Sequence, residues 1–390
     1  MIFDKLFQLM AEKGASDIFV SAGAPIAIKI QGNAIPINQQ IMDPATIQKM
    51  AYEMLTPEQI QTFEKNRELN LSIGVRDVGN FRVNLFWQRN SIGIVVRFIT
   101  SIIPKLEDLT LPKVLNEIIM EKRGLVLVVG STGSGKSTTI AAMLDHRNAS
   151  RSGHILTIED PIEYLFKHKR SIVNQREIGL DTISWEEALK NAMRQAPDCI
   201  LIGEIRDKAT MSAAIAYAQT GHLCLATLHA NNAYHALNRI INFFPIENRP
   251  SLYLDLSVAM KAIISQRLVK KPDGKRSPAV EILLNTRHIS ELIERGEINA
   301  IKEAMEQSLA PGSQTFEQDL FRLYRDGIIT LEEALANADS PTNLSWLINN
   351  AQLNAAQAAP PTISPISPTV EAEKTASGAS FTEFTLNMEE

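Results

Sequence analysis

Eight residues, GSTGSGKS from Gly130 to Ser137, limit what this chain can fold into more than any other stretch. They complete the pattern G-x-x-x-x-G-K-[ST], and they sit between an apolar run at residues 125–129 and a helix-like segment at 138–148. That context is the strand–loop–helix unit of a phosphate-binding loop. Glycines are needed there because backbone N–H groups must wrap a phosphate without Cβ atoms in the way, and the following helix presents its positive N-terminus. The expected ATP-binding set is Gly130, Ser131, Thr132, Gly133, Ser134, Gly135, Lys136, Ser137 and Thr138. Lys136 should reach the β- and γ-phosphates, and the Ser137 hydroxyl should bind Mg²⁺.

The surrounding pattern has a definite class. Apolar runs at 125–129, 155–158, 199–202 and 223–227 alternate with helix-like segments at 138–148, 185–194 and 208–219. Near-continuous apolar strands alternating with helices predict an α/β domain whose parallel sheet is covered on both faces. Polar residues follow each run, and open parallel sheets bind ligands at the carboxyl ends of their strands. Helical patterns then continue over 250–269, 290–294, 300–306 and 316–324, with Asn299 and Thr315 near helix starts.

A chain of 390 residues exceeds one ordinary domain. Before residue 104 the pattern is mixed: an amphipathic helix at the start, strand-like runs at 17–21, 27–31, 81–86 and 92–99, and a helix over 43–66 with Asp43 as its cap. The expected organisation is a small α/β domain at 1–104, the phosphate-loop domain at 105–350 and a disordered tail at 351–390. The tail is rich in Ala, Pro, Ser and Thr and cannot bury enough apolar surface to offset its ordering entropy. Its end, FTEFTLNMEE, gathers Phe381, Phe384, Leu386 and Met388 beside Glu383, Glu389 and Glu390, which suggests a short docking motif.

Composition excludes several classes. A formal charge of −5 shows no basic excess, so no nucleic-acid partner is expected. The two cysteines, Cys199 and Cys224, form no CxxC pair and read as small buried residues in a reducing compartment. No apolar run reaches the roughly 18–20 residues of a membrane span, and the first helix carries Asp4 and Lys5 within its apolar spacing, unlike a signal peptide. The expectation is a cytoplasmic protein without direct membrane insertion.

Hydrolysis needs acids beside the loop. The segment PDCILIGEIRD ends a buried strand with Glu204, and ILTIEDPIEY ends another with Glu159, Asp160 and Glu163. Each carboxylate taken singly could solvate a loop or cap a helix. Two such groups beside a phosphate loop favour catalysis. The run TGHLCLATLHA adds His222 and His229 at the two ends of one strand.

These blocks, GSTGSGKS, IEDPIEY, ILIGEIRD and TGHLCLATLHA, resemble in order and spacing the secretion ATPases of type II secretion and type IV pili, and most closely the twitching-motility retraction ATPases. The stretches GASDIFVSAG, FRVNLF, VNQREIG and ISQRLVKK extend the resemblance from the N-terminus to roughly residue 340. It implies a RecA-like motor domain preceded by a PAS-like domain, assembled as a homo-hexameric ring. It also implies that Glu163 polarises the attacking water and that Glu204 holds Mg²⁺ through water. His222 and His229 would report the γ-phosphate, and Arg82 and Arg97 would neutralise phosphate charge as the ring closes. Roles for Arg194 and Arg206 are left open.

Departures refine the assignment. PilT-type members carry an arginine where Asn80 stands, and the family often has an acid where Ala196 stands. In ISELIER, Ser290 and Glu294 replace the two arginines of a PilT-type retraction motif. With the long tail, this points to a PilU-type accessory retraction motor that works with a PilT-type retraction ATPase and an inner-membrane pilus platform protein. The alternatives are an assembly or type II secretion motor and, from another class, an ATP-binding scaffold with little turnover.

Overall fold

The computed structural model of the chain describes residues 2–30, 32–76, 78–99 and 102–358. Among the described residues thirteen strands form two sheets. The first contains β1 (Asp17–Val20), β2 (Pro25–Ile30), β3 (Asn33–Ile41), β4 (Glu68–Val75), β5 (Gly79–Gln88) and β6 (Ser91–Ile99) in the order β3-β2-β1-β6-β5-β4, all antiparallel. Its strands alternate. Ile18, Val20, Phe81, Val83, Leu85, Ile94 and Val96 face a core shared with Phe3, Phe7 and Met10 of the helix Ile2–Lys13 and with Ile47, Met50 and Phe63. The other face carries Asp17, Arg82, Asn84 and Arg97, so the helices of this part of the chain pack on the apolar face, the PAS-like arrangement expected.

The second sheet contains β7 (Gly124–Val129), β8 (Gly153–Glu159), β9 (Ser171–Glu177), β10 (Cys199–Ile202), β11 (Leu223–Leu228), β12 (Met260–Lys270) and β13 (Arg276–Leu284), in the order β13-β12-β7-β11-β10-β8-β9. Every pairing is parallel except that of β13 with β12. Leu125, Leu127 and Ile200 look into one core, and Val126, Val128 and Leu201 into another on the opposite face. Burial on both faces explains why these strands read as unbroken apolar runs rather than alternating ones. Cys199 and Cys224 are free and buried, one in each core, so the sheet itself separates them. This is the RecA-like layer expected, with the phosphate loop leaving a central strand.

Three expectations need correction. The helix read over 43–66 is two helices, Pro44–Glu53 and Pro57–Asn66. Asp43 does cap the first, accepting from Thr46 N, but Thr56 opens the second with a reciprocal capping box to Gln59. Pro57 disfavours helical backbone at Thr56, which breaks the run. The helix read over 250–269 ends at Ala259, and Met260 begins β12. Ile263 and Ile264 lie against Leu127 and Val128 of β7, and that long-range pairing overrides the local helical pattern. The helix Pro341–Ala358 runs past residue 350, so residues expected to start the tail are helical. The suggested docking motif lies outside the described residues.

Candidate nucleotide site

The parallel strands deliver their polar ends to one cleft. Lining it are Thr132, Gly133, Gly135, Lys136, Ser137 and Thr138 of the phosphate loop, Glu159, Asp160, Glu163 and Tyr164 after β8, Gly203 and Glu204 after β10, and Thr227 and His229 around the end of β11. Its volume is about 540 Å³. The loop is tightly curved: Gly130, Gly133 and Gly135 all have positive φ, and at Gly130 a Cβ would lie 2.5 Å from the Gln266 carbonyl oxygen. Lys136 donates to the carbonyls of Gly130 and Ser131, each at 2.9 Å. Burial pulls its pKa down, and the charges of Glu163 and Glu204 push it back up. The Thr138 hydroxyl lies 2.8 Å from the Tyr164 hydroxyl, tying the helix after the loop to the acidic segment.

The acids differ in environment. Glu163 is exposed on the cleft wall. Glu159 accepts from Thr157 Oγ1 at 2.6 Å and from Gln175 Nε2 at 3.3 Å, and removal from water pushes its carboxyl up to about 7. Glu204 is held between Arg206 Nε at 2.8 Å and His229 Nε2 at 3.4 Å, while Arg206 also reaches Asp160 at 3.4 Å. The Glu204 hydrogen bond raises the pKa of Arg206. Arg206 thus joins the two acidic segments. Arg194 donates to the Lys190 carbonyl four residues back along the chain.

His229 and His222 part company here. His229 borders the cleft, whereas His222 precedes β11 and meets Thr220 and the Tyr217 carbonyl at the opposite end of that strand. At about 3.3 Å per residue, the strand between them spans roughly 20 Å. His222 is therefore not brought to this chain's own phosphate loop. Motif spacing named both histidines; strand geometry separates them.

Arg82 and Arg97 are cross-strand partners on the unbacked face of the first sheet. Arg97 bonds Asp17 on β1 at 3.0 Å, with its side chain 67% exposed. The charge of Arg82 lowers the pKa of Glu177, which burial raises more strongly. Glu177 in turn accepts from Ile162 N at 3.1 Å, beside Glu163. Glu177 is the last residue of β9, and it escaped the sequence reading because that strand, SIVNQRE, is too polar to read as an apolar run whose tip could be inspected.

The family model for type II/IV secretion system proteins matches residues 1–304. This chain is a type II/IV secretion system protein. Among curated members, the type IV pilus ATPase PilU of Pseudomonas aeruginosa is 50% identical over 349 residues, covering 89% of this chain and 91% of that one. The type IV pilus retraction ATPase PilT of the same organism is 39% identical, covering 88% of this chain and 100% of its own length. The crystal structure of the pilus retraction motor PilT with bound ADP superposes with a TM-score of 0.82 at 42% identity, covering 88% of this chain and 98% of that one. The fold of this secretion-family chain is therefore one that holds a nucleotide in a solved relative.

Proposed function

We propose that this chain is an ATPase motor of type IV pilus retraction, acting as a PilU-type accessory in a homo-hexameric ring beside a PilT-type ATPase. One observation carries the reading. A chain half identical to PilU along most of its length also keeps Lys136, Ser137, Glu163, Glu204 and His229 around a single cleft. Lys136 binds the β- and γ-phosphates, and Glu163, exposed to the cleft, polarises the attacking water. His229, against Glu204, registers the γ-phosphate. Arg82 and Arg97, on a sheet face that no helix of their own domain covers, supply positive charge where subunits meet.

The residues fit a magnesium ion held largely by the nucleotide. Among the described residues no group of three or more His, Cys, Asp or Glu side chains could hold a metal by itself. One hydroxyl, Ser137, and one carboxylate acting through water, Glu204, suit an ion that keeps its waters and takes phosphate oxygens. Bound there, it would neutralise developing phosphate charge.

Among the described residues no helix is long and apolar enough to cross a membrane. We place the motor in the cytoplasm, peripheral to the inner membrane through a pilus platform protein. An assembly or type II secretion motor is disfavoured because such motors commonly carry a tetracysteine zinc insertion, which the two cysteines of this sequence cannot build. The test is deletion of the gene in its parent bacterium. Surface pili should persist while twitching weakens; loss of pili would instead identify an assembly motor.

A further inference from the structure

Gln266 lies on β12, one residue beyond the last pairing of that strand with β7, beside the point where the phosphate loop departs. Its side chain is buried, and both ends of its amide are committed. Nε2 donates to the Ser134 carbonyl at 2.8 Å, and Oε1 accepts from Thr139 Oγ1 at 2.7 Å. Ser134 is in the crown of the loop, and Thr139 is in the first turn of the helix Lys136–Ser150. The amide therefore spans loop and helix. The fit leaves no room for a side chain at Gly135, where a Cβ would lie 2.8 Å from Gln266 Nε2.

The consequence follows from peptide geometry. In a trans peptide the carbonyl of one residue and the N–H of the next point in opposite directions. Holding the Ser134 carbonyl outward against Gln266 turns the Gly135 N–H inward, into the concave side of the loop. A phosphate loop works by aiming such N–H groups at phosphate oxygens, and glycine lets this peptide rotate freely when nothing holds it.

We propose that Gln266 is a positioning residue for the nucleotide, fixing the Ser134–Gly135 peptide so that the loop is shaped before phosphate arrives. The role rests on the ATPase reading above. Next along the strand, Arg267 points the other way. It donates to the carbonyls of Asn337 and Asn231, pairs with Asp339 and lies 4.0 Å over the Phe316 ring. Adjacent residues of β12 thus grip the phosphate loop and the C-terminal helices.

The experiment measures ADP binding to the full-length protein, using a fluorescent ADP and competition by ADP itself. Gln266→Leu keeps the bulk and removes both hydrogen bonds. Its Kd for ADP should rise roughly tenfold, with KM for ATP rising in step and kcat at saturating ATP changing less. Gln266→Glu gives a signature that lost packing would not. The ionised carboxylate repels the Ser134 carbonyl, whereas the protonated acid donates to it as the amide does. Burial raises such a carboxyl, so binding relative to wild type should be weak near about pH 8 and recover near about pH 6. A folded Gln266→Leu protein with a Kd within about twofold of wild type would overturn the proposal. So would a Gln266→Glu deficit independent of pH. Should Gln266→Leu not fold, Thr139→Val removes one bond alone and should raise Kd a few-fold; wild-type affinity there overturns the proposal equally. Wild-type protein that binds no ADP overturns the ATPase reading as well, which separates the two failures.

Discussion

The two sheets carry their charged residues in different places. In the parallel sheet, Lys136, Glu163, Glu204 and His229 stand beyond the ends of strands, because helices cover both faces and the interiors of β7, β8, β10 and β11 are largely apolar. In the antiparallel sheet Arg82 and Arg97 stand in mid-strand, in a row with Asp17 at the start of β1 that runs across β1, β6 and β5. Covered strands can present chemistry only at their tips, so they converge on one cleft within the chain. A face without helices of its own domain presents it broadside, towards whatever packs against it, and within this chain the charge of Arg82 already reaches Glu177 of the second sheet. The first arrangement suits a site complete in one subunit; the second suits a contribution to a neighbour's site.

The tip cluster carries the largest expected effect. Glu163→Gln should cut ATP turnover at least roughly 10²-fold while ADP binding persists, the scale of a lost general base. Lys136→Ala should lose binding as well, since it removes charge from the phosphates. Both are read by steady-state hydrolysis and nucleotide titration of purified protein. Wild-type turnover in Glu163→Gln would transfer the role to Glu159, whose carboxyl near about 7 already suits proton transfer.

The broadside cluster should matter less, and only in rings. Arg82→Ala or Arg97→Ala should lower turnover roughly tenfold, about 1.4 kcal/mol of barrier, without preventing ring formation. Wild-type activity per subunit should rise with protein concentration until rings form. Asp17→Asn supplies the control, because it breaks the Arg97 pair without removing the arginine. Equal turnover losses in Asp17→Asn and Arg97→Ala would mean that Arg97 acts by holding the sheet together. A flat activity profile across the monomer-to-ring transition would collapse the distinction between the two clusters.

Legibility in the sequence follows the same division. Strands β7, β8, β10 and β11 were readable because burial on both faces makes them continuous apolar runs, and their tips bore the motifs. β3 was missed because it lies largely exposed and shows no apolar pattern. β9, β12 and β13 carry polar residues inside the covered sheet, among them Gln175, Glu177, Gln266 and Glu281, which blurred the strand signal. Gln175, Glu177 and Gln266 among them hold the segments of the site from behind. Gln266 had one visible sign, a polar stretch with Ser265 and Arg267 between the apolar pairs Ile263–Ile264 and Leu268–Val269. His222 shows a different limit: motif spacing puts both histidines on one strand, and only the strand's length sets them at opposite ends of it, one at the cleft and one far from it.

Glu281 tests the comparison at its weakest point, being a carboxylate in mid-strand within the covered sheet. It accepts from Ala233 N at 2.7 Å and Ser265 Oγ at 2.9 Å, with Asp339 and Glu317 adding negative charge nearby, and burial pushes it up to about 7. A carboxyl raised from the ordinary 4.5 stays protonated in the folded state over a window in which the unfolded chain has already lost its proton. Stability from this group is therefore greatest near the lower end of that window and falls as pH rises towards 7. The amide in Glu281→Gln cannot ionise and still offers an oxygen to Ala233 N. Between pH 5.5 and 8 the wild-type Tm should fall by roughly 3 °C relative to Glu281→Gln, measured by paired thermal melts at each pH. Glu159 shifts in the same direction but is common to both proteins and cancels in the difference. A pH-independent Tm gap between the two would mean that Glu281 is ionised in mid-sheet, and that a covered sheet can carry charge away from its tips after all.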